Sequence, residues 1–143
     1  MNATLQKFGY PEALIREYEH WVVLIRPVQV TLGSVILAAK SDVRSFGALR
    51  PEEMAEWAGI VRTFEAAIVK DFGAEKFNYL ALMMVDPNPH FHGIPRYSGP
   101  VDFQGRSFTD QNFPKPPSLD VVNECPQETL AALRDHLRAA FAG

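Results

Sequence analysis

Two histidines spaced two residues apart are the side chains of this chain best suited to chemistry. His90 and His92 lie within the stretch "DPNPHFHGIPRY" (86–97), which has prolines on both sides of the pair. Because residues i and i+2 of a β-strand point to the same face, the two imidazoles should project together while Phe91 points into the core. Histidine titrates near neutrality, so such a pair can offer one neutral nucleophile and one proton donor to a phosphate-sized ligand.

Three polar residues near the histidines extend this candidate site. Asn88 should share their face if the strand begins that early, and Arg96 follows on the same strand. Either Arg96 or Arg26, which ends an earlier strand, could offset phosphate charge through a bidentate contact. The spacing alone is equally compatible with a solvated strand face that carries no chemistry.

A metal centre at the histidines would need further ligands. Asp86 and Asp110 are the available acidic candidates, but the chain contains no HExxH motif and no paired CxxC. Glycine-rich phosphate-binding loops of the GxGxxG and GxxxxGK[ST] types are absent as well. We therefore predict no metal ligands at the histidines and none of the common phosphate-cradling loops.

The pattern of apolar residues predicts the elements that position this stretch. In order, we expect a short helix from Pro11, strands at 21–27 and 34–40, a long helix at 50–73, strands at 76–85 and 90–97, an extended loop at 98–124 and a final helix at 126–143. Apolar residues recur three and four positions apart in the long helix, which is typical of a face packed on a core. The order predicts an α+β domain, in which a mostly antiparallel sheet carries the long helix and the C-terminal helix on one face.

Length and composition are those of one globular domain spanning residues 1–143. The net charge of −3 argues against a large nucleic-acid surface, and no apolar run is long enough to span a membrane. A single cysteine excludes an internal disulfide, and the N-terminal residues lack the pattern of a secretory signal. These features predict a cytoplasmic protein.

The histidine stretch resembles the motif of the histidine triad (HIT) family. That motif reads His-x-His-x-His, followed by apolar residues and often by Ile-Pro-Arg, and "PHFHGIPRY" is similar to its end. In this register His92 is the third histidine and His90 the middle one, while Asn88 occupies the place of the first. Before the motif, "KFNYLALMM" resembles the strand that precedes the triad, with Asn78 at a position often held by asparagine.

Two further segments agree with the same family. "WVVLIRPVQVTLGSVILAAK" is similar to its N-terminal strand pair, in which a glycine precedes the second strand. "DQNFPKP" is similar to the Asp-x-x-Trp-Pro-x-Pro segment of short bacterial HIT hydrolases, which resemble diadenosine tetraphosphate hydrolases and lack the first histidine. The resemblance covers a core of about residues 8–116 and leaves a C-terminal helix at about 126–142 outside it.

The resemblance implies the HIT fold and a mechanism of nucleotidyl transfer. By position, His90 would attack the α-phosphorus of a dinucleoside polyphosphate or a nucleoside phosphoramidate, giving a nucleotidyl-histidine that water or another acceptor resolves. His92 would lie near the phosphate and the leaving group. In the family, a backbone carbonyl near the first triad position holds the far nitrogen of the nucleophile, so Asn88 is compatible with activity.

Five residues are the predicted ligand contacts: Arg26, Gln29, Asn78, Asn88 and Arg96. Asp110 and Phe113 are expected to anchor the loop at 98–124 instead of contacting substrate. Departures from the family pattern include Asn88 for a histidine, Ser34 after Gly33 where many members carry a histidine, and Gly93 where a β-branched residue is usual.

The resemblance also implies partners for the protein. We expect a purine nucleotide or dinucleoside polyphosphate as ligand, no membrane, no large nucleic acid, and a homodimer built across the long helix and neighbouring strands. No cofactor is expected to be required, although a divalent metal could accompany a polyphosphate substrate. Two alternatives stay open: a nucleotide-binding HIT module with little or no catalysis, and a protein whose two histidines are only structural.

Overall fold

A five-stranded antiparallel sheet positions the two histidines. The computed structural model describes residues 2–143. Its sheet strands are Leu14–Glu17 (β1), Trp21–Ile25 (β2), Val35–Ala39 (β3), Lys76–Leu80 (β4) and His90–Arg96 (β5), in the spatial order β1-β2-β3-β5-β4. The other elements are the helices Ala3–Lys7 (α1), Pro51–Phe72 (α2) and Gln127–Ala142 (α3), a 3₁₀ turn at Phe46–Ala48, and the hairpin strands Val101–Phe103 (β6) and Arg106–Phe108 (β7). The predicted α+β fold with a mostly antiparallel sheet is confirmed.

Strand β2 shows how both faces of the sheet are covered. All five of its residues are buried, which is why its sequence, "WVVLI", is continuously apolar. Its odd-numbered residues pack in the cluster with α2 and α3, whereas Val22 and Leu24 pack in a second cluster with Leu5 of α1. The prediction that helices pack on one face therefore holds for α2 and α3, and α1 covers part of the other face.

The long helix α2 begins and ends as its sequence predicts. Pro51 occupies the first turn, where its missing N–H costs nothing, and the Glu53 carboxylate accepts a hydrogen bond from the Arg50 N–H at 2.9 Å. Gly73 ends the helix with a φ of +75°, a conformation that glycine adopts without strain. Phe64 and Ile68 are fully buried on the face that packs against the sheet.

The N-terminal region differs from its prediction. Residues after Pro11 form strand β1, which pairs with β2, and the short helix α1 lies earlier in the chain. The Asn2 side chain caps α1 by accepting a hydrogen bond from the Leu5 N–H at 3.0 Å. The helix prediction was wrong because pairing with the apolar strand β2 outweighed a weak local helix preference.

Two boundaries in the second half also differ. Strand β4 ends at Leu80 instead of continuing to residue 85, and Met84 and Val85 are largely exposed. The predicted loop at 98–124 contains the β6–β7 hairpin, whose two turn residues, Gln104 and Gly105, both have positive φ values. A two-residue turn with positive φ at both positions matches the twist of an antiparallel pair, so this hairpin is locally favourable.

Close packing explains the unusual glycine in β5. A Cβ atom on Gly93 would lie 3.1 Å from Cγ2 of Val35 and 3.4 Å from Cε2 of Phe64 in α2. A β-branched residue would need still more room, so this chain brings α2 closer to the sheet than a larger side chain would allow. The departure from the family pattern at Gly93 therefore affects the packing of α2 against the sheet, on the face opposite the two histidines.

Candidate active site

Strand β5 places His90 and His92 on the same face of the sheet. Their ring centroids lie 5.4 Å apart with the planes at 79°. Phe91, between them, points to the opposite face and packs against Trp57 at a centroid distance of 4.7 Å. The predicted alternation is confirmed, and it leaves the two histidines 3% and 7% exposed.

A backbone carbonyl fixes which nitrogen of His90 carries the proton. His90 Nδ1 lies 2.8 Å from the carbonyl oxygen of Asn88. A carbonyl oxygen can only accept a hydrogen bond, so Nδ1 must donate the proton in this contact. In the neutral ring, Nε2 therefore keeps its lone pair and is the nitrogen able to attack an electrophile.

Arg26 imposes the opposite arrangement on His92. Its Nε donates to His92 Nδ1 at 3.2 Å, and a guanidinium has no acceptor, so Nδ1 of His92 must hold the lone pair. Nε2 of the neutral ring then carries the proton. Burial, followed by the charge of Arg26 and the proximity of His90, lowers the pKa of His92 to about 4. At neutral pH His92 is thus an uncharged hydrogen-bond donor.

The lowered pKa of His92 predicts a loss of stability in mild acid. Its folded value of about 4 lies below the ordinary value of 6.5, so the unfolded chain binds more protons between these pH values. Stability from this residue is therefore present above about pH 6.5 and lost as pH falls towards about 4. We expect urea denaturation to show that His92→Gln removes about 1–2 kcal/mol of the drop between pH 7 and pH 4.5. Equal drops in the variant and the unmodified protein would contradict this assignment.

The N-terminal helix covers the histidines from one side. The Phe8 ring, directly after α1, lies 5.3 Å from the ring of His90 and 6.0 Å from that of His92. Lys7 forms an ion pair with Asp86 at 3.1 Å, which links α1 to the segment just before the histidines. The sequence reasoning missed this cover, although Asn2 before a short helical run is a recognisable capping signal.

Solved structures share this fold along most of the chain. No protein-family profile and no curated protein sequence matches the chain. A histidine triad protein from Sinorhizobium meliloti 1021 aligns over 96% of this chain and 93% of its own, with 21% identity and a TM-score of 0.72. A histidine triad protein from Marinobacter aquaeolei VT8 aligns over 99% and 95%, with 20% identity and a TM-score of 0.69. A hypothetical histidine triad nucleotide-binding protein from Sulfolobus tokodaii strain 7 aligns over 91% and 83%, with 18% identity and a TM-score of 0.67.

The chain has the histidine triad fold. The predicted resemblance is confirmed at the level of the fold. At these identities of 18–21%, the likeness establishes the fold alone.

The Asn88 side chain is turned into the protein. Asn88 precedes β5, and its side-chain oxygen accepts a hydrogen bond from the Thr4 hydroxyl at 2.9 Å. Its amide nitrogen donates to the carbonyl oxygens of Val43 and Asp42 at 3.0 and 3.3 Å. Strand β5 begins two residues after Asn88, whose side chain is held within the protein, and its ligand contact stays a prediction.

Gln29 also forms its hydrogen bonds within the protein. Its side chain is fully buried and its amide nitrogen donates to the carbonyl oxygens of Arg26 and Ser34 at 2.8 and 2.9 Å. Its amide oxygen accepts from the Gly33 N–H at 2.9 Å. These bonds brace the turn between β2 and β3, and the ligand contact of Gln29 stays a prediction.

Arg96 and Asn78 form a separate buried cluster at the far end of β5. The guanidinium of Arg96 donates to Asp110 at 2.7 and 3.1 Å, to Asn78 Oδ1 at 2.7 Å and to the Lys115 carbonyl at 2.6 Å. Four residues of strand separate Arg96 from His92, which is about 13 Å. This cluster does not include the histidines, so the ligand contacts of Arg96 and Asn78 stay predictions, and Asp110 holds the loop.

The acidic residues considered as metal ligands are already paired. Asp110 binds Arg96, and Asp86 binds Lys7. Within residues 2–143, the group of three side chains close enough to hold a cation consists of Glu19, His20 and Glu56, whose ligand atoms lie within 4.8 Å of one another. That group contains neither triad histidine. Of the five predicted contacts, Arg26 touches the histidine pair through its side chain and Asn88 touches it through its backbone carbonyl.

Proposed function

We propose that this chain is a nucleotide hydrolase or nucleotidyl transferase in which His90 is the nucleophile. The observation that carries the proposal is the opposite protonation of the two imidazoles. The Asn88 carbonyl leaves His90 with a lone pair on Nε2, and Arg26 leaves His92 with a proton on Nε2. A nucleophile beside a hydrogen-bond donor is what displacement at a phosphorus centre requires.

In the first step, the Nε2 lone pair of His90 forms a bond to the α-phosphorus. The bond from that phosphorus to the leaving oxygen, or to the leaving nitrogen of a phosphoramidate, breaks and its electron pair departs with the leaving group. The ring becomes positively charged as the N–P bond forms. Its Nδ1–H already donates to the Asn88 carbonyl, whose dipole stabilises that charge without rearrangement.

In the second step, the oxygen of water or of another acceptor attacks the same phosphorus. The N–P bond breaks, its electron pair returns to Nε2 of His90, and the proton of the attacking group passes to solvent. This restores the starting form of His90. Its partial enclosure by Phe8 limits random access of water to the intermediate.

Arg26 and His92 supply the recognition of phosphate. The guanidinium is a permanent positive charge placed directly against His92, and its Nη1 is steadied by the Val28 carbonyl at 2.8 Å. The Nε2–H of His92 can donate to a non-bridging phosphate oxygen or to the leaving oxygen. Together they offset negative charge that builds up during displacement.

Dinucleoside polyphosphates and nucleoside phosphoramidates are the proposed substrates. The Sulfolobus tokodaii neighbour carries "nucleotide-binding" in its name, which supports a nucleotide as ligand. Purine preference, a homodimer, a cytoplasmic location and a metal brought by the substrate stay predictions. None of the helices formed by residues 2–143 is long and apolar enough to cross a bilayer.

The proposal is tested by turnover and by capture of the intermediate. We expect the protein to release AMP from diadenosine tetraphosphate or from adenosine 5′-phosphoramidate. Rapid acid-free denaturation and peptide mass spectrometry should find an added nucleotidyl group on the peptide that contains His90. Failure to turn over either substrate would overturn the enzymatic proposal, and calorimetric binding of AMP without turnover would identify a nucleotide-binding module instead.

A further inference from the structure

We propose that Thr4 of the N-terminal helix is a positioning residue for His90, and that it acts through Asn88. The Thr4 hydroxyl donates to Asn88 Oδ1 at 2.9 Å, and the backbone carbonyl of the same asparagine holds His90 Nδ1 at 2.8 Å. The catalytic meaning of this chain of contacts rests on the proposed function. Its effect on the protonation of His90 can be measured without turnover.

The Asn88 carbonyl needs an anchor because it lies outside the strand ladder. The ladder with β3 begins one residue later, where the Pro89 carbonyl accepts a hydrogen bond from the Ala39 N–H at 3.0 Å. Pro89 keeps the ψ angle of Asn88 in the extended range, and within that range ψ sets the direction of the Asn88 carbonyl. The side chain and the carbonyl group branch from the same Cα, so a fixed side chain restricts where the carbonyl can point.

Three hydrogen bonds fix that side chain, and they come from two distant segments. The carbonyls of Asp42 and Val43, after β3, accept from the amide nitrogen, while Thr4 supplies the hydrogen bond to the amide oxygen. Asn88 is nine-tenths buried, so water cannot readily replace a missing partner. Thr4 therefore determines whether the amide oxygen is satisfied in the orientation seen here.

Thr4 is itself held rigidly against the sheet. It is 1% exposed, and the following Leu5 is fully buried in the cluster on this face. The capping residue Asn2 donates from its side chain to the Ala39 and Ser41 carbonyls at 2.9 and 2.8 Å. The hydroxyl thus comes from a docked helix, and a hydroxyl with a fixed position can fix its partner.

Loss of the Thr4 hydroxyl should disturb the nucleophile by a defined route. Without the Thr4 hydroxyl, the side-chain amide of Asn88 would rotate towards another donor. That rotation would turn the backbone carbonyl of Asn88 away from His90 Nδ1. Without that acceptor, the imidazole can adopt the form with the proton on Nε2, which has no lone pair directed at phosphorus. The population of reactive His90 falls, and the phosphate contacts of His92 and Arg26 stay in place.

The kinetic test compares Thr4→Val with Thr4→Ser. Valine keeps the shape of threonine but has no hydroxyl, and we expect kcat to fall about five- to tenfold with KM within about twofold. Serine keeps the hydroxyl and should restore most of kcat. Thr63→Val is the matched control, because the Thr63 hydroxyl bonds only within α2, to the Gly59 carbonyl at 3.3 Å. If Thr4→Val does not fold, Thr4→Ala removes the hydroxyl without adding a group and carries the same test.

The spectroscopic test uses ¹⁵N-labelled histidine, whose chemical shifts distinguish Nδ1–H from Nε2–H. The chain has four histidines, and the signal of His90 is assigned by its loss in His90→Gln. We expect the Nδ1–H form in the unmodified protein and in Thr4→Ser, and a raised fraction of Nε2–H in Thr4→Val. In an Asn88→Ala background, Thr4→Val should add no further change, because its partner is gone.

The outcomes separate this inference from the proposed function. A shift of the His90 signal in Thr4→Val, in a protein that turns over no nucleotide, would support the positioning role and contradict the proposed activity. Normal turnover with an unchanged His90 signal in Thr4→Val would overturn the positioning role and leave the activity intact. Equal losses of kcat in Thr4→Ser and Thr4→Val would also overturn it.

Discussion

His90→Ala is expected to lower kcat/KM for a dinucleoside polyphosphate or a nucleoside phosphoramidate by at least about a thousandfold. The variant removes the lone pair proposed to form the covalent bond to phosphorus, and the lone pair of the neighbouring His92 lies on Nδ1, where it accepts from Arg26. His92→Gln should cost less, about ten- to a hundredfold, because it weakens a hydrogen bond to the phosphate or leaving group and leaves the nucleophile in place.

The order of these two effects is the informative measurement. Steady-state kinetics of both variants should be compared with those of His136→Ala, a histidine on α3 that pairs with Asp71 at 2.9 Å. The control should stay within about twofold of the unmodified protein, as expected for a residue away from the site. A larger loss in His92→Gln than in His90→Ala would show that the roles of the two histidines are exchanged.

Asp110→Ala is expected to lower the free energy of unfolding by about 3–5 kcal/mol. Asp110 and Arg96 form a bidentate pair whose side chains are both only 3% exposed. Removing the carboxylate leaves a buried guanidinium with the Asn78 oxygen and the Lys115 carbonyl but without a counter-charge. It also removes the acceptor of the Tyr97 N–H, so the loop after β5 loses its attachment to the sheet.

Urea denaturation followed by tryptophan fluorescence measures this loss, since Trp21 is fully buried in the main core. Asp120→Ala is the matched control, because Asp120 is an exposed aspartate of the same long loop. It should change the unfolding free energy by less than about 0.5 kcal/mol. A loss below about 1 kcal/mol in Asp110→Ala would mean that solvent reaches the guanidinium of Arg96 in the folded protein.

Much of the fold could be predicted because the relevant signals are local. In α2, the apolar spacing, Pro51 at the start and Gly73 at the end all indicate the same helix. The strand β1 could not be predicted in this way, since "LIRE" becomes a strand only by pairing with β2. The end of β4 at Leu80 could not be predicted either, because the exposed residues that follow are as apolar as those of the strand.

In the candidate site as well, features that depend on local sequence could be predicted, and contacts between distant segments could not. The shared face of His90 and His92 follows from strand alternation over two residues, and the structure has it. The place of Arg96 on the same strand was also predictable, but the sequence says nothing about a carboxylate that arrives from a loop fourteen positions later in the chain. The contacts that set protonation, from Arg26 to His92 and from Thr4 to Asn88, join residues 66 and 84 positions apart and have no signature in the sequence.

The long reach of the Asn88 contacts has a consequence for folding. Its partners lie 84, 46 and 45 positions away in the chain, so closing these loops carries an entropic cost that only long-range packing can offset. In an unfolded or partly collapsed chain, His90 is therefore an ordinary imidazole that exchanges its proton freely between both nitrogens. The protonation pattern of this residue is therefore a property of the folded chain, because its acceptor is held in place only where these distant segments meet.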